Sequence, residues 1–202
     1  QEKPNEIYLS QPIEGVWHNW TWKQVGYEVR KMAAYIKTLD MPQGSKVALL
    51  SKNCAHWMMT DMAIMMSGYV SVPLYPNLNA ASLEEILKHS EAKLLFVGKL
   101  DDYAIMKPAV PADLPCITFP FYSENYPKWN EVTKNIDPIQ ENIIREAQDL
   151  ATIIYTSGTT GDPKGVMHKF FNFSFATTHA SEALHFTNES FFSYLPLCHI
   201  AE

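Results

Sequence analysis

Apolar positions along this chain change period several times, and each change marks an element. Val25, Val29, Met32, Ala33, Ile36 and Leu39 recur at helical spacing, which predicts an amphipathic helix over residues 22–39. Thr21 followed three residues later by Gln24 is a capping-box signature for its start. A turn over residues 41–45 leads into KVALL, residues 46–50, a short apolar run expected as a buried strand. Residues 54–67 are apolar nearly all round and hold five methionines, the pattern of a buried helix filled with adaptable side chains.

A strand over residues 69–75 follows, closed by Pro76, then a helix starting at Ser82 as its cap and ending near Ser90. KLLFV, residues 93–97, reads as another buried strand. A helix near 101–107 and a strand near 116–119 precede residues 120–138, which are rich in Pro, Asn and aromatics and read as a surface excursion. Residues 139–147 are expected as a helix and 150–155 (LATIIY) as a strand. Strands alternating with helices predict an α/β fold: a mostly parallel sheet with helices on both faces, joined by right-handed crossovers.

Composition narrows the class. With 47% hydrophobic and 19% charged residues the chain is globular rather than disordered. Its net charge is −6 and its 16 basic residues form no block, so no nucleic-acid partner is expected. Cys54, Cys116 and Cys198 are odd in number and widely spaced, which suits a reducing compartment and buried thiols rather than a disulfide framework. The segment 193–200 has a strand-like apolar pattern, on which Cys198 and His199 would face opposite sides and form no nucleophilic pair. The apolar run at 62–75 is interrupted by Ser67, Gly68, Ser71 and Pro73 and is too short to span a bilayer. QEKPNEIYLS at the start lacks a basic and then apolar leader. Together these predict a soluble, cytoplasmic protein. The chain starts without Met and stops straight after an apolar pattern, so both ends read as cut.

The chemistry concentrates after the last predicted strand, in TSGTTGDPKG, residues 156–165. Four hydroxyl residues (Thr156, Ser157, Thr159, Thr160) and three glycines (Gly158, Gly161, Gly165) are followed closely by Lys164. Glycines let backbone N–H groups converge on an anion. Hydroxyls add donors and can face a metal ion, and lysine supplies a mobile point charge. The stretch suits a triphosphate. It is not the Walker pattern, because Pro163 precedes and Gly165 follows the lysine, and it is not G-x-G-x-x-G.

YTSGTTGDPKGVMH, residues 155–168, resembles the signature loop of the ANL adenylate-forming superfamily of acyl-CoA synthetases, firefly luciferase and nonribosomal-peptide adenylation domains. SKNCAHWMMTDMAIMMSGYVSVPLYP (residues 51–76) is similar to the N-terminal stretch of long-chain fatty acyl-CoA synthetases, and SYLPLCHIAE (193–202) resembles the family's next motif. The resemblance implies ATP-dependent activation of a fatty acid to an acyl-adenylate, with pyrophosphate release and transfer to coenzyme A. It implies that Thr156, Ser157, Gly158, Thr159, Thr160, Gly161 and Lys164 hold the ATP phosphates, with Thr156 helping to orient Mg²⁺. His199 falls at a position lining the acyl pocket; read from the residues alone, a partly buried core histidine fits equally.

The resemblance also implies that residues 1–202 form an incomplete N-terminal AMP-binding domain. The later motifs (adenine contacts, a metal-binding acid, a ribose aspartate, a lysine on a mobile C-terminal domain) are absent, and this stretch alone is expected to be inactive. Two rivals stay open: an aryl- or amino-acid-activating enzyme of the same superfamily, and a non-catalytic nucleotide-binding protein. Peripheral membrane contact, oligomeric state and chain-length preference are not fixed by these residues. Elsewhere, Asp61, Glu84 and Glu85 read as solvated or helix-terminal charges, and Phe170, Phe171, Phe173 and Phe175 as core leading into a helix. His168, His179 and His185 lack metal-ligand spacing.

Overall fold

The computed structural model describes residues 3–122, 125–157, 163–185 and 190–199. The chain enters through an antiparallel hairpin, β1 (Ile7–Ile13) and β2 (Val16–Thr21), which the apolar periodicity did not announce. Its two-residue turn places Glu14 at φ 50° and Gly15 at φ 79°, the pair of positive angles a tight hairpin turn requires. Then α1 (Trp22–Thr38) begins at the predicted cap: Thr21 Oγ1 accepts from Gln24 N–H, and Thr21 N–H donates to Gln24 Oε1. Val25, Val29, Met32, Ala33 and Ile36 form its buried stripe.

The alternation that follows is the predicted one. It runs β3 (Lys46–Leu50), α2 (Ala55–Met66), β4 (Val70–Leu74), α3 (Ala80–Ser90), β5 (Leu94–Val97), a short α4 (Tyr103–Met106) and β6 (Cys116–Thr118). After these come α5 (Trp129–Val132), β7 (Leu150–Ser157), β8 (Pro163–Lys169) and α6 (Phe170–Leu184). The six-stranded sheet has the order β6-β5-β3-β4-β7-β8, parallel throughout except for the antiparallel β7–β8 edge pair.

Strands buried on both faces read as unbroken apolar runs, and their period of two divides the core. Val47, Leu49, Phe96 and Ile117 face α1 and α2. Ala48, Leu50, Val70, Val72, Leu74 and Val97 face α3 and α4. All three cysteines are free and buried, as the spacing predicts.

Several local expectations are corrected. Asn79, not Ser82, caps α3: its Oδ1 accepts from Ser82 N–H at 2.8 Å, because an amide oxygen one turn earlier already meets that donor. Residues 120–138 are more than a surface excursion. Trp129 within them is 1% exposed and donates Nε1–H to Glu28 Oε2 at 2.9 Å, so the segment returns to seal the core over α1. The helix expected over 139–147 does not form. Arg30 donates to the carbonyls of Ile139 (2.9 Å) and Glu141 (2.7 Å), oxygens that a helix would use, and to Asn142 Oδ1 (3.0 Å). Arg145 likewise reaches Met65 O at 2.8 Å across α2. Residues 193–199 form no strand. They turn, with His199 N–H donating to Pro196 O at 2.8 Å.

Candidate functional site

The motif of residues 156–165 does not lie wholly in a loop. β7 and β8 run antiparallel through it, pairing Tyr155 with Gly165, Thr156 with Lys164 and Ser157 with Pro163. Directly opposed residues project to the same face, so Thr156 and Lys164 share one face near the open end of a hairpin, both exposed. Gly158, Thr159, Thr160 and Gly161 lie outside the described residues, as does the Ser157 side chain. Of the phosphate contacts predicted from sequence, the structure therefore places Thr156 and Lys164 together and describes the backbone of Ser157 beside them.

Gly165 also has a packing task within the hairpin. A Cβ there would lie 2.7 Å from Ile153 Cγ2 and 3.2 Å from the Tyr155 ring. Its bare backbone lets those side chains of β7 lie against β8. The Tyr155 ring is buried, its hydroxyl pushed up in pKa by burial, and its oxygen sits 2.7 Å from His89 Nδ1 on α3. The rings of these two residues meet edge to face with centroids 5.7 Å apart.

Below the hairpin lies a cavity of about 270 Å³ between α2, the β4–β7 surface and α6. Trp57, Met58, Pro73, Ile154 and Phe173 give it apolar walls, and His199 lies on its rim. His199 is exposed, which is not the setting of a buried core histidine. Its segment is fastened at the carboxyl ends of the strands by Asn53. That side chain donates to Ser193 Oγ (2.8 Å) and Leu195 O (2.6 Å) and accepts from Leu197 N–H (3.0 Å). Open α/β sheets bind ligands at this edge.

Asp61 is the residue that sequence reasoning misplaced. It is not a solvated charge: it sits in the middle of α2, facing the sheet and lining the cavity, and burial pushes its carboxyl up to about 6 while the nearby Ser71 hydroxyl pulls it down. Ser71 Oγ is fully buried, and it lies outside hydrogen-bonding geometry with any partner among the described residues. Thr152 at the same level donates to Ser71 O at 2.9 Å. The missed signal was positional. Asp61 falls on the same α2 face as Trp57 and Ile64, both buried.

The phenylalanines are also corrected. No residue of α6 is buried; Phe171 and Phe175 are exposed, Phe170 lies under the Arg145 guanidinium at 5.1 Å, and Phe173 lines the cavity. Among the described residues no group of three or more His, Cys, Asp or Glu could hold a metal ion, and no helix is long and apolar enough to cross a membrane.

The profile of a family described as AMP-binding enzyme matches residues 1–202. Long chain acyl-CoA synthetase 5 of Arabidopsis thaliana is 30% identical over 201 residues, covering 89% of this chain and 30% of that protein. A 2-succinylbenzoate–CoA ligase of Bacillus licheniformis is 31% identical over 189 residues, covering 91% of this chain and 36% of its own length. Among solved structures, o-succinylbenzoate coenzyme A synthetase from Bacillus subtilis in complex with ATP and magnesium ion superposes with a TM-score of 0.77 at 24% identity. That match covers 98% of this chain and 49% of the other. This chain thus spans roughly a third of the length of these curated relatives.

Proposed function

This chain belongs to the AMP-binding enzyme family, and from that premise we propose that it is part of the large N-terminal domain of an ATP-dependent long-chain fatty acid–CoA ligase. The observation that carries the reading is the Thr156–Lys164 pair, set side by side at the open end of the hairpin that presents the glycine- and hydroxyl-rich motif.

A carboxylate is a poor electrophile, and its charge repels ATP. Activation requires its oxygen to be held in line with the α-phosphorus while charge builds on departing pyrophosphate; positioning and electrostatics dominate such a step. Lys164, with Thr156, Ser157, Thr159, Thr160 and the backbone amides at Gly158 and Gly161, holds the β- and γ-phosphates and takes up that charge. The Thr156 hydroxyl is a hard oxygen donor of the kind Mg²⁺ accepts, and Mg²⁺ when bound would neutralise phosphate charge. The apolar cavity with His199 on its rim receives the acid near its reacting end. The acyl group of the adenylate then passes to the coenzyme A thiol, with AMP leaving.

A second reading has its own support: the succinylbenzoate–CoA ligase is 31% identical to this chain, beside 30% for the long-chain synthetase, so an aryl acid is the rival substrate. ATP–pyrophosphate exchange by the full-length protein against fatty, aryl and amino acids separates them. Exchange driven by long-chain fatty acids is expected, and exchange driven by aryl acids alone would transfer the assignment. No exchange with any acid, together with no ATP binding, would discard adenylation. The polypeptide of residues 1–202 by itself is expected to give negligible exchange.

A further inference from the structure

The open end of the hairpin that presents the phosphate motif lies at the edge of the sheet. β8 is the edge strand, and β7 is in register with its inner neighbour β4 at Ser71 and Thr152, well below the open end. Between Thr152 and the motif, Ile153 packs into the core beside α3, Ile154 lines the cavity, and Tyr155, nearest the open end, hydrogen-bonds to α3. Its ring lies across Gly165, where no Cβ could fit without displacing Ile153 or the ring. Its hydroxyl meets His89 Nδ1 at 2.7 Å, in the last turn of α3. The next residue pair up the ladder is Thr156 with Lys164.

We propose that His89 is a positioning residue for the phosphate site: its bond to the Tyr155 hydroxyl, with the ring packed on Gly165, fastens the open end of the β7–β8 hairpin to α3 and fixes where Thr156 and Lys164 stand. His89 touches no reacting atom; it acts through Tyr155. The proposal rests on the reading of residues 156–164 as the triphosphate site. Contacts held in place before binding cost less to complete, so a loosened hairpin raises the ATP requirement before it changes anything else.

The test compares wild-type full-length protein with His89→Ala, Tyr155→Phe, the double variant and His89→Gln. Tyr155→Phe keeps the ring on Gly165 and removes only the hydroxyl; His89 is exposed, so its replacement leaves the core intact. Each single loss is expected to raise the KM for ATP about 2- to 10-fold, the equivalent of one hydrogen bond, with the KM for the acid unchanged. The double variant should be no worse than the poorer single one, because both remove the same bond. His89→Gln, which keeps a polar partner, should recover part of the loss.

An unchanged KM for ATP in both single variants overturns the proposal, and so does a lowered melting temperature with all kinetic constants intact. Additive losses in the double variant overturn it as well. Absence of both ATP binding and exchange in the wild type is a separate outcome, which discards the adenylation reading and this proposal with it.

Discussion

Replacing Asp61 with Asn should stabilise the protein at neutral pH, and by an amount that depends on pH in a defined way. The carboxyl is held at about 6 by burial against the cavity and β4, compared with an ordinary value of 3.8. Between those values the unfolded chain has lost a proton that the folded protein keeps, so folding stability falls as pH rises through this window and levels off above pH 6. A difference of roughly two units corresponds to about 3 kcal/mol. This is an upper bound, because the side chain is only partly shielded and solvent reaches it through the cavity. Asn is close in shape, cannot ionise, and offers an N–H to Ser71 Oγ, which has no hydrogen-bond partner among the described residues.

His56 works in the opposite direction. Buried among Trp20, Phe119 and Trp129, it is lowered to about 4 by desolvation. The unfolded chain therefore takes up a proton there first as pH falls, and stability declines from about pH 6.5 down to pH 4. The two slopes largely cancel in the wild type, so its contribution from this pair is nearly flat over that range. Asp61→Asn removes one of them. Denaturant unfolding followed by circular dichroism at pH 4, 5, 6 and 7 should show variant and wild type equal near pH 4. The variant should then be more stable by an amount approaching 3 kcal/mol at and above pH 6. A difference that is the same at pH 4 and pH 7 would mean the carboxyl titrates as a solvated group, and the burial account of Asp61 would be wrong.

Two further perturbations probe the frame around the site. Trp129→Ala removes a fully buried indole and orphans Glu28, and should cost about 3–5 kcal/mol in the same unfolding assay; a loss below 1 kcal/mol would return residues 120–138 to a surface excursion. Gly165→Ala places a methyl 2.7 Å from Ile153 Cγ2 and should destabilise by about 1–3 kcal/mol. Combined with Ile153→Ala, which removes the clashing Cγ2, the two losses should be less than additive if the clash is the cause, and unfolding midpoints of the single and double variants decide it.

The elements legible in the sequence are those whose information is local. The capping box at Thr21 and Gln24, the buried stripe of α1, the apolar runs of β3, β4 and β5, and the helix between each pair were all readable, since propensity and burial there agree. The hydroxyl-, glycine- and lysine-bearing motif was equally plain, because its residue types lie together within ten residues. What could not be read depends on partners distant in the chain. Residues 139–147 carry a helical pattern, yet Arg30, more than a hundred residues earlier, takes their carbonyls. Trp129 is a core residue only because the chain folds back over α1. Asp61 looks like any helix-surface charge until β4 and β7 close over that face of α2.

The same division runs through the site. By itself the sequence determined an alternating α/β chain of the AMP-binding family with a glycine- and hydroxyl-rich motif after its last parallel strand. Only the tertiary structure decided that Thr156 and Lys164 share one face of a hairpin, and that Gly165 makes room for Tyr155. It alone brought His89 on α3 within hydrogen-bonding distance of that tyrosine's hydroxyl. The physical reason is range: helical and strand periods, caps and phosphate-binding residue types act within a few residues, whereas register across a sheet and burial of a single carboxyl are set by which distant segments pack together.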